Sequence, residues 1–521
     1  MRQDNLGEKM DVAEPGARTA VLDHAIGIMQ DLARVPIAAL RGIASGTSVD
    51  GALRLTDVLI ALAGADPSLP WLHCLRVELL FIAGRPVEAG AVAAALMADP
   101  TAPAVVHEAA KAASILAAVV VHREDGRQRA EAILERTDGI APEGDPEAAA
   151  ALAVLADSAW EAGRLQKGIV WAREAVARSE AIPSPYWRMY LRIGLANKLI
   201  DIGELAEAGQ LAEEVRELQA ATPYPGIEAA LATLRIKELI HNGQWSIAAN
   251  IAGPGDTGGE LYFTPQFLGH RGIARLYAGD VDAASADLDT CHELLAAAGT
   301  GEETVACHWA QLLLRAESPW PVGAPDLMAD TFALHARLAG LVAQVHGAAA
   351  WAVRSAVRDG HEMLARRIVR VTEHVAKANP DMPQLALMAV HARGALRLDP
   401  VDLVTAVQQE HRWARANAAH DLAAAMCPTG DPVARPAPMA HQPAAPRPAG
   451  WNTLSEREQE IAELVVQGRT NRQIATRIRR STHTVNFHLR NIFRKLDIAS
   501  RIEISQYAPD GTADTRRPHG A

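Results

Sequence analysis

Four cysteines in 521 residues, with only six phenylalanines and six tyrosines, leave this chain short of two common means of building structure. Cys74, Cys291, Cys307 and Cys427 are scattered and too few for a disulfide scaffold, which points to a reducing compartment. Cys291-His292 and Cys307-His308 have neither a C-x2-C nor an H-x3-H spacing, so they are expected as packing residues, with no metal or cofactor. Long apolar runs are missing too. The richest, Ser114 to Val121, ends at His122 and is too short to cross a bilayer, and the polar stretch Met1 to Arg18 lacks the apolar segment of a signal peptide. A soluble, cytoplasmic protein with no membrane partner is expected. There is no G-x-x-x-x-G-K-[ST] and no regular alternation of strand and helix, so neither P-loop nucleotide hydrolysis nor a receiver or Rossmann unit is expected. Histidines and carboxylates are dispersed and no nucleophile motif occurs, which argues against an enzyme.

What is present is alanine, leucine, valine and glutamate in helix-favouring segments from about Thr19 to Cys427. A glycine recurs between successive helical segments, at Gly46, Gly84, Gly126, Gly163, Gly203, Gly243 and Gly279, in steps of 36 to 42 residues. That period marks stacked helical hairpins. In the best-matched units Leu165, Leu205, Trp245 and Val281 lie two residues after the glycine, and Gly168, Ala208, Ala248 and Ala284 lie five after it. The first set docks the second helix and the small residues let the two helices approach. Gly360 with Ala365, and Gly394, suggest that the array continues beyond the interruption at Ser318 to Pro325. Residues 19–427 are therefore expected as an array resembling tetratricopeptide repeats, a sensor or interaction domain for an unidentified small-molecule or protein signal. Trp160, Trp171, Trp187, Trp245 and Trp309 are expected mainly as packing.

Pro428 to Gly450 holds seven prolines and almost no bulky apolar residue, and reads as an extended linker. Residues 1–18 and 509–521 read as disordered ends. The net charge of -11 is unevenly spread: residues 451–508 hold ten Lys or Arg against six acids, a net +4, and residues 1–450 carry -15. A small basic module is attached to a large acidic one, which raises the prospect that the array weakens nucleic-acid binding until a signal repositions it.

Within 451–508 three capping boxes stand out, in which Ser or Thr bonds an amide three residues on and Glu or Gln there reaches back. Ser455 with Glu458 predicts a helix to about Val466, Thr470 with Gln473 a second to about Ile478, and Ser500 with Glu503 a short fourth. Ser481, after a turn of Arg479 and Arg480, caps a helix from about Thr482 to Leu496, which completes a helix-turn-helix plan. On this third helix Val485, Leu489, Ile492 and Leu496 form an inward stripe toward Ile461, Leu464, Ile474 and Ile478, with His488 half-buried beside it. His483, Asn486, Phe487, Arg490 and Arg494 form the opposite stripe. Asn486, Phe487 and Arg490 suit base edges in the major groove, as amide, apolar ring and guanidinium. Thr470, Arg472, Ser481, Thr482, Thr484, Arg494 and Lys495 suit phosphate contacts, most of them near helix starts.

The stretch LSEREQEIAELVVQGRTNRQIA, RSTHTVNFHLRNIFRKLDI and SRIEI closely resembles the C-terminal DNA-binding domain of the LuxR family of bacterial transcription regulators. The resemblance covers about a tenth of the chain. It implies an all-α fold, a four-helix LuxR-type helix-turn-helix after the repeats, and double-stranded DNA as partner. It also implies a third helix in the major groove, a homodimer on DNA through the fourth helix, and RNA polymerase as a further partner. Three positions depart from the family pattern: Arg480 replaces an aliphatic turn residue, Asn486 a frequent Lys, and Asp497 the usual Gly. The repeats resemble the C-terminal half of the large ATP-binding LuxR-type regulators, without their ATPase motif. The resulting expectation is a sequence-specific transcription regulator; the alternative is a scaffold that binds a partner and is tethered to DNA by the basic module.

Overall fold

Helix ends organise this chain more visibly than helix interiors do. The computed structural model describes residues 49–426 apart from 64–68, 122, 137–144, 183, 225, 254–261, 299–303, 318–334 and 410, and residues 453–496 apart from 467–473, 476 and 479. Among the described residues there are 22 α-helices and no strand, as the composition predicts. The array begins with α1 (Val49–Ala63), α2 (Leu69–Ile82), α3 (Pro86–Ala98), α4 (Ala104–Val121), α5 (Arg123–Arg136), α6 (Pro146–Glu161) and α7 (Leu165–Arg178). It continues through α8 (Pro185–Asp201), α9 (Leu205–Ala221), α10 (Ile227–His241), α11 (Trp245–Ala249), α12 (Thr264–Ala278), α13 (Val281–Ala298) and α14 (Val305–Glu317). Six further helices follow: α15 (His335–Gln344), α16 (Ala348–Arg358), α17 (Glu362–Ala378), α18 (Pro383–Arg397), α19 (Pro400–Ala406) and α20 (Arg412–Met426). The C-terminal module holds α21 (Glu456–Val466) and α22 (Thr482–Leu496).

Gly84, Gly163, Gly203, Gly243, Gly279 and Gly360 all have positive φ and end a first helix so that the next can pack back on it. At Gly163 the glycine N–H donates to Trp160 O at 2.9 Å and the next N–H to Ala159 O at 2.8 Å, the paired bonds that close a helix through a left-handed residue. The same two bonds recur at the other five turns. Gly168, Ala208, Ala248 and Ala284 are buried where the paired helices meet. A Cβ on Gly168 would lie 3.1 Å from Ala156 O, which is the close approach its spacing implies.

Two of the predicted glycine turns are corrected. Gly126 lies inside the first turn of α5, and Gly394 lies inside α18. A Cβ on Gly394 would sit 3.1 Å from Leu403 Cγ, so this glycine serves helix contact with α19 rather than chain reversal. Gly46 and Ser318 to Pro325 lie outside the described residues, as do the linker and both termini.

Helices of successive units bury most of their surface, which explains why alanine is so frequent. Ala148 to Ala151 of α6 are all fully buried, because α6 packs against α4, α5, α7 and α15 at once. Trp160, Trp187, Trp245 and Trp309 belong to the core as expected, and Trp171 is half-buried beneath Lys167. Cys291 and Cys307 are also buried, both beside Pro265 O.

The helices after α14 return to the glycine turns. Asn379 donates to Gly163 O at 2.7 Å and accepts from Gln166 N at 2.9 Å, Gln384 donates to Ile202 O at 3.1 Å, and His346 Nε2 donates to Asp201 O at 2.7 Å. Arg412 lies against Gly243, and Trp413 stacks on Tyr277 at 5.1 Å. Three turns spaced forty residues apart are thus each covered by the chain's own later helices. The last of these, α20, is anchored by Asp421, which is buried and accepts from Arg354 Nη1 at 2.5 Å and His391 Nε2 at 2.9 Å.

Candidate nucleic-acid interface

The geometry of the C-terminal module begins with its caps. Ser455 N–H donates to Glu458 Oε2 at 2.8 Å and Glu458 N–H to Ser455 Oγ at 3.3 Å, so the predicted box opens α21. Thr484 N–H donates to Ser481 Oγ at 3.1 Å, which starts α22 where predicted. Both devices act within four residues, and for that reason they are visible in the sequence.

The core of the module is small and lies on one side of α22. Val485, Leu489, Ile492 and Leu496 are buried with Ile461, Leu464, Ile474 and Ile478, joined by Leu454, Ala462, Val465 and Ala475. Arg457 of α21 reaches across to donate to Ile478 O at 2.8 Å, satisfying a carbonyl near the end of the second helical stretch. Sequence pattern alone did not single out this arginine.

The opposite side of α22 stays open. Phe487 is 59% exposed, far above the buried aromatics of the array, and Arg490 and Arg494 follow it in exposed positions along the helix. His488 is half-buried with its ring 5.8 Å from that of Phe487. Ser481 is exposed and Thr484 half-buried at the start of the helix. Asn486 and Thr482 belong to α22, but their side chains lie outside the described residues. Thr470, Arg472, Gln473, Asp497 and the predicted fourth helix from Ser500 also lie outside them.

Lys495 has an internal partner that its exposed position in the helix pattern did not reveal. Its Nζ donates to Glu458 Oε2 at 2.6 Å, joining the end of α22 to the capping box of α21. Burial pushes the Glu458 carboxyl up, but hydrogen bonds from Lys495 and from Ser455 N–H and Oγ outweigh it and hold the group below its usual range. The partner lies 37 residues away, beyond the reach of any local signature. Arg494 and Lys495 in the last turn of α22 are favourably placed, since cations there oppose the negative pole of the helix. Among the described residues no helix is long and apolar enough to cross a membrane.

Residues 452–508 match the family described as bacterial regulatory proteins, luxR family. The uncharacterized response regulatory protein YgeK of Escherichia coli K12 is 44% identical over 57 residues, which is 11% of this chain and 39% of that protein. The nitrate/nitrite response regulator protein NarP of the same organism is 40% identical over 52 residues, 10% of this chain and 24% of that one. Mb0914c of Mycobacterium bovis is 41% identical over 59 residues, 11% of this chain and 7% of its own length. The chain therefore spans well under half the length of each of these relatives, and the likeness is one of domain. The described caps and one-sided core agree with it: residues 452–508 are a helix-turn-helix domain of the luxR family of bacterial regulatory proteins.

Proposed function

We propose that the chain is a sequence-specific DNA-binding transcription regulator in which α22 enters the major groove. Asn486, Phe487 and Arg490 read base edges, while Thr470, Arg472, Ser481, Thr482, Thr484, Arg494 and Lys495 hold the phosphates. The observation that carries this reading is the exposed Phe487, followed along the same helix by the exposed Arg490 and Arg494, opposite a buried stripe. An apolar ring left in water has a use at a thymine methyl, and the neighbouring Arg490 guanidinium forks onto guanine. Lys495 serves DNA by orienting α22 through Glu458 as well as by its charge. The protein acts as a homodimer on DNA and with RNA polymerase, and the helical array receives a ligand or protein signal.

Selection from random DNA with the full chain tests the proposal. A common site should emerge, and Arg490→Ala should relax the preference at one base pair by about 1–3 kcal/mol. Failure to select any common sequence would remove the regulator reading in favour of a scaffold tethered to DNA. Uniform weakening on all sequences would reassign Arg490 to phosphate.

A further inference from the structure

Where the later helices meet the array, a cavity of about 50 Å³ lies between α8, α10, α12 and the turn before α16. Its walls include His241, His270, His346 and His411, together with Asp201 and Lys237. The volume suits a few water molecules or one ion with a water, and is several-fold short of a site for a drug-sized molecule. The ring centroids of His241, His346 and His411 form a triangle with sides of 5.6, 5.4 and 4.9 Å. Three imidazoles bound to one tetrahedral ion at zinc–nitrogen distances of about 2 Å would have centroids roughly 5 Å apart.

We propose that His241, His346 and His411 form a binding site for a divalent transition-metal ion of the zinc class, with a water or His270 in the fourth position. The donor set decides the class, because imidazole nitrogen suits zinc, cobalt, nickel or copper, whereas calcium and magnesium call for several free oxygens. The carboxylate in the cavity is already engaged: Asp201 Oδ1 pairs with Lys237 Nζ at 2.8 Å, which also cancels that ammonium's repulsion of a cation. Two of the rings carry the outer hydrogen bond common to metal-bound histidines. His346 Nε2–H donates to Asp201 O at 2.7 Å and His270 Nδ1–H to Gln266 O at 2.8 Å, leaving the other nitrogen of each as the lone-pair donor. As placed, no three donor atoms among the described residues converge on one point, and the rings of His346 and His411 lie nearly parallel, at 5°. Metal binding turns a ring about its Cβ–Cγ bond, a torsion that is broad in histidine. For His411 this gives up the stacking on His346 and a 3.5 Å contact between Nδ1 and Ala414 N–H. The ion would join the end of α10, the turn before α16 and the residue that precedes α20, so it staples the array to its own later helices.

The test is titration of the chelator-treated full chain with Co²⁺, then with Zn²⁺. One equivalent per chain with the visible ligand-field absorption of tetrahedral cobalt, displaced by Zn²⁺, is expected, and His346→Ala with His411→Ala should abolish it. No tetrahedral band at one equivalent, or the same band in a doubly substituted protein of wild-type circular dichroism, would overturn the site. X-ray absorption of Zn²⁺-loaded wild type needs no variant: three or four imidazoles support the site, and fewer than three overturn it. None of these readouts depends on DNA binding, so the site and the regulator reading stand or fall separately.

Discussion

The array and the C-terminal module are both built of short helices, yet they treat their polar surface in opposite ways. In the array, several charged side chains are drawn inward and paired there. Arg271 and Asp287 form a buried two-pronged pair at 2.7 and 3.0 Å, and Asp421 binds Arg354 and His391 out of solvent. In the module, α22 packs one stripe and leaves Phe487, Arg490 and Arg494 facing water. A helix buried on several sides, as α6 is, has little face left for a partner, whereas one packed on a single side, as α22 is, keeps one. The proposed recognition by α22 rests on this difference in packing.

Substitutions can break this comparison. Asp421→Ala should have the largest effect, about 3 kcal/mol of array stability, because it strands a buried imidazole and a half-buried guanidinium; denaturant unfolding followed by circular dichroism measures it. Ile492→Ala should cost about 2–5 kcal/mol in the module. Faster hydrogen exchange confined to α21 and α22, with array unfolding unmoved, would show two independent cores; an equal shift of both would merge them. Ser481→Ala removes the cap of α22 and should cost about 1 kcal/mol by the same exchange readout.

Three smaller effects sharpen the contrast. Lys495 is one-third exposed, so Lys495→Met should cost less than about 1 kcal/mol of module stability after solvent screening. The pH dependence has a definite sign. The folded Glu458 carboxyl is held below its usual range, so its contribution is present above the unfolded value, about 4.3, and is lost as acid takes the pH through the lower folded value. The protection of the module against exchange, taken relative to the intrinsic amide rate at each pH, should therefore fall on acidification, and less so in Glu458→Gln. Phe487→Ala should change stability by no more than about 0.5 kcal/mol, as for other exposed residues, while weakening binding to the selected DNA site. A large stability loss would make Phe487 a packing residue and close the open face.

Much of the candidate interface was legible because its signals are local. Ser455 with Glu458 and Ser481 with Thr484 lie three residues apart, and the stripe of Val485, Leu489, Ile492 and Leu496 follows helical spacing. Glycine turns were legible for the same reason, except where burial changed the meaning of a glycine. Gly394 and Gly163 look alike in a list of spacings, but the first sits inside a helix against Leu403 and the second has a φ of 73° at a chain reversal. The partner of Lys495 and the covering of the glycine turns were not legible, since nothing near those residues encodes them.

The sequence by itself determined the all-helical character, the glycine turns that mark the repeat, the caps at Ser455 and Ser481 and the buried stripe of α22, because each depends on residues within a turn or two of one another. Only the tertiary structure decided which helices cover the turns at Gly163, Gly203 and Gly243, and which side chains meet there. Asn379 contacts Gly163 across 216 residues, and His346 reaches Asp201 across 145. Contacts of that separation arise from the accumulated stacking of many hairpins, each adding a small rotation, and no short segment carries that sum.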